Sequence, residues 1–307
     1  MRYAAIEIGT NSTKMIIVQK DESNSCSVVK KSNSVNRLSR NMFENRMIQR
    51  KAFKDGMDII HKYMKDIEEN RAKLVSVFST SVLRDAENRS LIMQEVKKHY
   101  GCDIQIISGG QEAFYAYRAA SRLMEDKDGK AVVIDIGGGS TEIIYGSGEN
   151  IDHKASLDIG AVRLTELYCE SDPPKDTEIS RISRHIREKL ATLPDISLQG
   201  AILIGTGGTI KTLATIYSSV DYRNEEKING LVISQDAVNG IIRKLARMDV
   251  ESRKKVKGLN PKRADVIVTG LLILQAVMEA FKAGQIAVST KGVLEGYMDY
   301  FLNNLHN

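Results

Sequence analysis

A chain of 307 residues, 42% hydrophobic and 27% charged, has the length for two globular domains of about 150 residues each and can bury a core in both. No run of about 18 apolar residues occurs, because the longest candidate at 266–277 is broken by Thr269, Gly270 and Gln275, so a membrane span is excluded. Three cysteines, Cys26, Cys102 and Cys169, lack CxxC or His–Cys spacing, which excludes a disulfide framework or a zinc site, and a net charge of +5 favours a polyanionic ligand without identifying one.

Along the chain, the opening MRYAAIEIGTNS lacks the long apolar stretch of a secretory signal, so a cytoplasmic protein is expected. In AAIEIGTNSTKMII (4–17) two apolar strands flank a small-residue turn, the pattern of a β-hairpin. Helical spacing with charged faces follows at 42–70 and 86–100, separated by a short strand at 75–79, and another strand is expected at 104–107. The turn-prone segment MEDKDGK (124–130) marks a boundary, giving domains 1–125 and 126–307, with a C-terminal helix at about 293–307 able to pack back on the first. A second hairpin, VVIDIGGGSTEIIY (132–145), opens the second half. Beyond it the pattern predicts a helix at 176–192, a strand at 201–205, a glycine turn, and helices at 209–217, 234–247 and 264–282, the last an apolar core helix. Between the final two lies SRKKVKGLNPKR (252–263), with six basic residues, which reads as a solvated loop or as a basic track for a polyanion.

The two hairpins are one unit written twice. Ala4 onward aligns with Val132 onward without a gap, with identities at Ile6/Ile134, Ile8/Ile136, Gly9/Gly137, Ser12/Ser140, Thr13/Thr141 and Ile16/Ile144, and with a carboxylate kept at Glu7/Asp135. Such self-similarity predicts two related domains. Gly137, Gly138 and Gly139 carry no Cβ, so backbone N–H groups there can converge on an anion, and Ser12, Ser140 and Thr141 add hydroxyl donors. A carboxylate at the end of each incoming strand would repel phosphate directly. It becomes useful when Mg²⁺, a hard ion suited to oxygen ligands, lies between them. The pattern points to a phosphate site.

Seven segments then carry a resemblance: EIGTNS (7–12), STSVLRDAENR (79–89), ISGGQEA (107–113), DIGGGSTE (135–142), GAVRLTE (160–166), GTGGT (205–209) and RADVIVTG (263–270). In order and separation they resemble the exopolyphosphatase and guanosine pentaphosphate phosphohydrolase family in its short two-domain form, over nearly the whole chain. The resemblance implies an α/β fold of two ribonuclease-H-like domains, of the actin and sugar-kinase superfamily, with the active site in an interdomain cleft. It implies Glu112 as the base on the attacking water, Arg84 as a phosphate-gripping arginine, Asp135 as a metal ligand and Glu142 as a second ligand or water-orienting acid. The implied cofactor is Mg²⁺ or another divalent metal. Asn11, Ser12, Gly137, Gly138, Gly139, Ser140, Gly207, Gly208 and Thr209 would line the phosphate pocket.

The implied reaction is hydrolysis of the terminal phosphoanhydride of inorganic polyphosphate with release of orthophosphate. The alternatives are hydrolysis of pppGpp to ppGpp, a phosphotransferase of the same superfamily, and, from another class, a non-catalytic (p)ppGpp-binding or actin-like protein. No nucleic-acid or membrane partner is expected, and a homodimer is compatible with the sequence. Phosphoryl transfer spreads charge over the equatorial oxygens, so catalysis rests on positioning and electrostatics, to which a carboxylate beside the in-line water adds about 10²- to 10⁴-fold.

Each residue also has a plainer reading. Glu112 could be a surface carboxylate at a helix N-terminus, Arg84 could pair with Asp85, and GTGGT could be only a strand-to-helix turn capped by Thr209. The chain departs from the family pattern at Glu7, where Asp is usual, at Gly110 and Gln111, which are often acidic, and at Leu294, commonly Arg.

Overall fold

A computed structural model describes residues 1–22, 24–126, 128–194 and 200–305. The chain divides into two units, Met1–Glu112 with Leu294–Asn307, and Ala113–Val293. The boundary segment expected at 124–130 includes Lys127, which lies outside the described residues, as do residues 306–307 of the expected C-terminal helix.

In the first unit β1 (Arg2–Ile8) and β2 (Ser12–Lys20) form the expected hairpin, and β3 (Cys26–Val35) extends it antiparallel. After α1 (Arg50–Glu69), β4 (Lys73–Ser79) pairs parallel to β1. Then come α2 (Ser81–Asp85), α3 (Ser90–Tyr100), β5 (Ile104–Ile106), which is parallel to β4, and α4 (Gly109–Ala120), which passes from one unit to the other after Glu112. The strand order is β3-β2-β1-β4-β5. Alternation along the strands decides the packing: Ala4, Ile6 and Ile8, with Met15 and Ile17, share a core with Met57, Ile60, Tyr63 and Met64, residues three or four apart on one face of α1.

The helix expected over 42–70 begins only at Arg50. Asn41 and Arg46 sit at φ +55° and +57°, a left-handed conformation that a helix interior does not accept. Asn88 holds Ile48 through both amide atoms, at 2.9 and 3.0 Å, and keeps that segment irregular. Likewise the helix expected from residue 86 starts at Ser90, because Ala86 is extended.

The second unit contains β6 (Lys130–Ile136), β7 (Thr141–Ser147), β8 (Asn150–Leu157), α5 (Ala161–Tyr168), α6 (Asp176–Leu190), β9 (Ala201–Thr206) and α7 (Gly207–Tyr217). It continues through β10 (Val232–Ser234), α8 (Gln235–Ala246), α9 (Val250–Arg253), α10 (Ile267–Ala280) and β11 (Gln285–Val288). The sheet order is β10-β11-β9-β6-β7-β8, with β9 parallel to both β6 and β11. Taken from β8, the run β8-β7-β6-β9-β11 repeats β3-β2-β1-β4-β5: an antiparallel meander, then two parallel strands. This ribonuclease-H-like arrangement is therefore built twice, as the duplicated hairpin predicts. Val132, Ile134 and Ile136 bury in a core shared with α10, whose residues are buried on nearly every side. Among the described residues no helix is long and apolar enough to cross a membrane.

The final helix, α11 (Val293–Asn303), belongs from Leu294 onward to the first unit. Tyr297 packs on Phe78 with ring centroids 4.8 Å apart, Phe301 on Tyr3 at 5.7 Å, and Glu295 meets Lys31 at 2.5 Å. Leu294 is fully buried. The basic segment 252–263 is not one continuous track. Arg253 is buried, donating from Nε to Leu245 O at 2.9 Å and from Nη1 to Ala264 O at 3.2 Å, whereas Lys254, Lys255, Lys257 and Lys262 are exposed.

Candidate active site

In each unit the segments of interest leave the carboxyl ends of parallel strands, the edge where α/β sheets place ligands. In the first unit β1 leads into the loop 9–11, β4 into Arg84 and β5 into Glu112; in the second, β6 leads into the loop 137–140, β9 into α7 and β11 into the turn 289–292.

The repeat loops close identically: Gly9 N donates to Ser12 O and Gly137 N to Ser140 O, each at 3.0 Å. Their carbonyls are then tied back. In the first unit Ser39 N donates to Thr10 O, and Asn36 and Arg37 N to Asn11 O. In the second, the first turn of α5 supplies Ala161 N to Gly137 O and both Val162 and Arg163 N to Gly138 O, while Arg163 Nε donates to Gly139 O at 2.7 Å. A trans peptide points its C=O and N–H in opposite directions, so tying the carbonyls turns the amides outward. Among the described residues the amides of Thr10, Asn11, Gly138, Gly139 and Ser140 meet no acceptor. Asn11, 6% exposed, adds a buried Nδ2 with no partner among the described residues. Unsatisfied buried donors cost about 1–3 kcal/mol each, which an anion would recover.

The acids differ between the copies. Glu7 lies directly across the ladder from Lys14, and Asp135 directly across from Glu142, so each pair shares a sheet face. Lys14 Nζ neutralises Glu7 Oε1 at 2.7 Å. In the second unit that lysine is replaced by a carboxylate: Asp135 and Glu142 are both buried, and Glu142 Oε1 accepts from Ser156 Oγ at 2.7 Å. Asp135 also defines its surroundings. A Cβ on Gly207, which sits at φ +91°, would fall 2.4 Å from Asp135 Oδ1, so glycine is required there on two counts.

Two opposed buried carboxylates favour a cation. Among the described residues no group of three or more His, Cys, Asp or Glu could hold a metal. That donor set still fits Mg²⁺, which commonly takes one or two carboxylates and completes its shell with water and phosphate oxygens.

Glu112 stands in the first turn of α4 and is 7% exposed, so the reading as a surface carboxylate fails. Arg84 Nη1 donates to Glu112 Oε2 at 2.7 Å and to Ile107 O at 3.0 Å. The ion-pair partner of Arg84 is therefore Glu112, and the plain pairing with Asp85 is replaced by one between the two residues singled out for chemistry. At α7 the N-cap is Thr206 rather than Thr209, and its hydroxyl donates to Lys291 O at 2.7 Å instead of capping the helix. Gly207, Gly208 and Thr209 thus form the first turn of α7, whose amides have no intrahelical acceptor. Thr209 Oγ1 would lie 2.6 Å from a Cβ on Gly270, so its side chain packs towards α10.

Two cations at these loops, Lys14 and Arg163, were not singled out by sequence reasoning, and a third, Arg263, entered only as the end of the basic segment 252–263. Arg263 packs directly on Gly208, where a Cβ would lie 2.0 Å from its Nη1. Its position at the head of RADVIVTG was the available signal. Burial pushes the Cys102 and Cys169 thiols up, away from the thiolate form a nucleophile needs.

A model of the Ppx/GppA phosphatase family matches residues 16–305. The chain belongs to this family. Relatives named exopolyphosphatase and pyrophosphatase are by those names hydrolases of phosphoanhydrides. Exopolyphosphatase 2 of Mycobacterium tuberculosis is 28% identical over 309 residues, covering 96% of this chain and 97% of that protein. A bifunctional 3-dehydroquinate synthase/phosphatase of Fusobacterium nucleatum is 29% identical over 303 residues, 95% of this chain, which spans only 45% of that protein's length. A guanosine-5'-triphosphate,3'-diphosphate pyrophosphatase of Vibrio vulnificus is 27% identical over 301 residues, 96% of this chain and 58% of that protein. The solved Aquifex aeolicus PPX-GPPA enzyme superposes with a TM-score of 0.81 at 29% identity, covering 97% of this chain and 98% of that one.

Proposed function

We propose that this Ppx/GppA family member is an exopolyphosphatase, hydrolysing the terminal phosphoanhydride of inorganic polyphosphate and releasing orthophosphate. The observation that carries this reading is the pair of repeat loops with carbonyls tied back and amides lacking acceptors among the described residues. Glu112 accepts the proton of the attacking water, whose oxygen bonds to the terminal phosphorus as the bridging oxygen leaves with the shortened chain. Arg84 orients Glu112 and meets the equatorial oxygens. The amides of the loops at 9–12, 137–140 and 207–209 hold the phosphates, since phosphoryl transfer rewards fixed donors more than covalent chemistry. Asp135 and Glu142 would hold a divalent metal, best Mg²⁺, which supplies charge neutralisation between carboxylates and phosphate.

The relative that this chain covers almost completely is named an exopolyphosphatase, which favours polyphosphate. A second reading, hydrolysis of pppGpp, is favoured by the Vibrio vulnificus relative. Phosphate release from long-chain polyphosphate and from pppGpp, with and without Mg²⁺, distinguishes the two. Turnover of polyphosphate that requires Mg²⁺ is expected, and turnover of pppGpp alone would overturn the first reading.

A further inference from the structure

The loop 137–140 contains three successive glycines, each able to take positive or negative φ, so its peptides flip at little cost. A flipped Gly139–Ser140 peptide would turn a carbonyl, instead of the Ser140 N–H, towards an anion. Backbone amides of α5 hold only two of the three glycine carbonyls: Ala161 N reaches Gly137 O at 3.0 Å, and Val162 and Arg163 N reach Gly138 O at 2.9 and 3.0 Å. The third, Gly139 O, is held by a side chain, Arg163 Nε at 2.7 Å. In the first unit the corresponding carbonyl, Asn11 O, accepts from two backbone amides, Asn36 and Arg37 N, both at 3.1 Å. The second copy of the repeat has therefore replaced a backbone tether with a guanidinium. That side chain is 16% exposed, and its Nη2 lies 3.6 Å from the outer carboxylate of Asp158.

We propose that Arg163 is a positioning residue that locks the Gly139–Ser140 peptide with its N–H directed at a substrate phosphate. This role rests on the phosphate-site reading above. Arg163 works through the loop, and its charged donor makes the bond to Gly139 O roughly twice as strong as a neutral one.

The test uses the full chain labelled with ¹⁵N-glycine, titrated with inorganic phosphate, alongside KM and kcat on polyphosphate. The variants are Arg163→Met, Arg163→Lys and Asp158→Ala. In the wild-type chain the Gly138 and Gly139 amides should shift with phosphate. Arg163→Met should weaken that binding and raise KM by roughly ten- to a hundredfold, the worth of a hydrogen bond from a charged donor. Arg163→Lys should recover part of the loss, because an ammonium still donates to Gly139 O. Asp158→Ala leaves the Nε bond in place and should behave as wild type. Wild-type affinity in Arg163→Met overturns the role of Arg163 alone, as does an equal loss in the Met and Lys variants accompanied by a lowered melting temperature. Silence of the wild-type amides towards phosphate overturns the phosphate reading itself and this role with it.

Discussion

Glu112 and Arg84 stand 28 residues apart in the chain and meet at 2.7 Å. Glu112→Gln removes a base and little volume, so kcat should fall by about 10²- to 10⁴-fold while polyphosphate affinity changes little, as steady-state kinetics would read. Arg84→Ala should change both parameters if Arg84 meets phosphate as proposed, because it then deletes that contact and frees the carboxylate it pairs with; a change in melting temperature alone would reduce Arg84 to a structural ion pair. Tyr117 offers a test of stability instead of activity. Burial, with Asp152 and Tyr145 nearby, pushes its phenol up to about 12 from an ordinary 10.0, and its hydroxyl donates to Gly148 O at 3.2 Å. A raised value favours the protonated form in the folded chain. The contribution of Tyr117 is therefore complete below the ordinary value and lost as pH rises through about 12. Tyr117→Phe should flatten that alkaline decline in a plot of melting temperature against pH.

At the scale of elements, glycines mark where backbones touch. A Cβ on Gly160 would lie 2.3 Å from Gly138 O, and backbone atoms cannot swing aside as a side-chain end can. Gly160→Ala should cost on the order of 1–3 kcal/mol in denaturant unfolding and disturb the loop it supports, whereas Gly284→Ala, with nothing within 4 Å of its Cβ, should be near neutral. The hairpins and the core helix α10 were legible because strand alternation and a continuous apolar run are local signals. The strands β3 and β8 were not, since CSVVKKSNSV and NIDHKASL carry half-exposed polar residues and owe their pairing to β2 and β7. The late start of α1 was hidden too, because it follows from left-handed backbone at Asn41 and Arg46 that composition does not announce. Glu112, Arg84, Asp135 and Glu142 entered as candidates through motif resemblance or through the repeat. The tethering by Arg163 was invisible, because its partner is a carbonyl 24 residues away.

At the scale of the molecule, one fold is built twice with a different residue facing its strand-end acid: Lys14 lies across from Glu7 in the first unit, and Glu142 lies across from Asp135 in the second. A chelator should therefore abolish phosphate release and added Mg²⁺ restore it, with calorimetry giving one ion per chain. The most direct test of the central claim, that Glu112 and Glu142 both serve phosphoanhydride hydrolysis, is single-turnover orthophosphate release from long-chain polyphosphate by Glu112→Gln, Glu142→Gln and the double variant. Groups that act as a unit are not additive. Each single change should slow release by about 10²-fold or more, and the double should be no slower than the worse single. Wild-type release by either single variant, or losses that multiply in the double, would contradict the account.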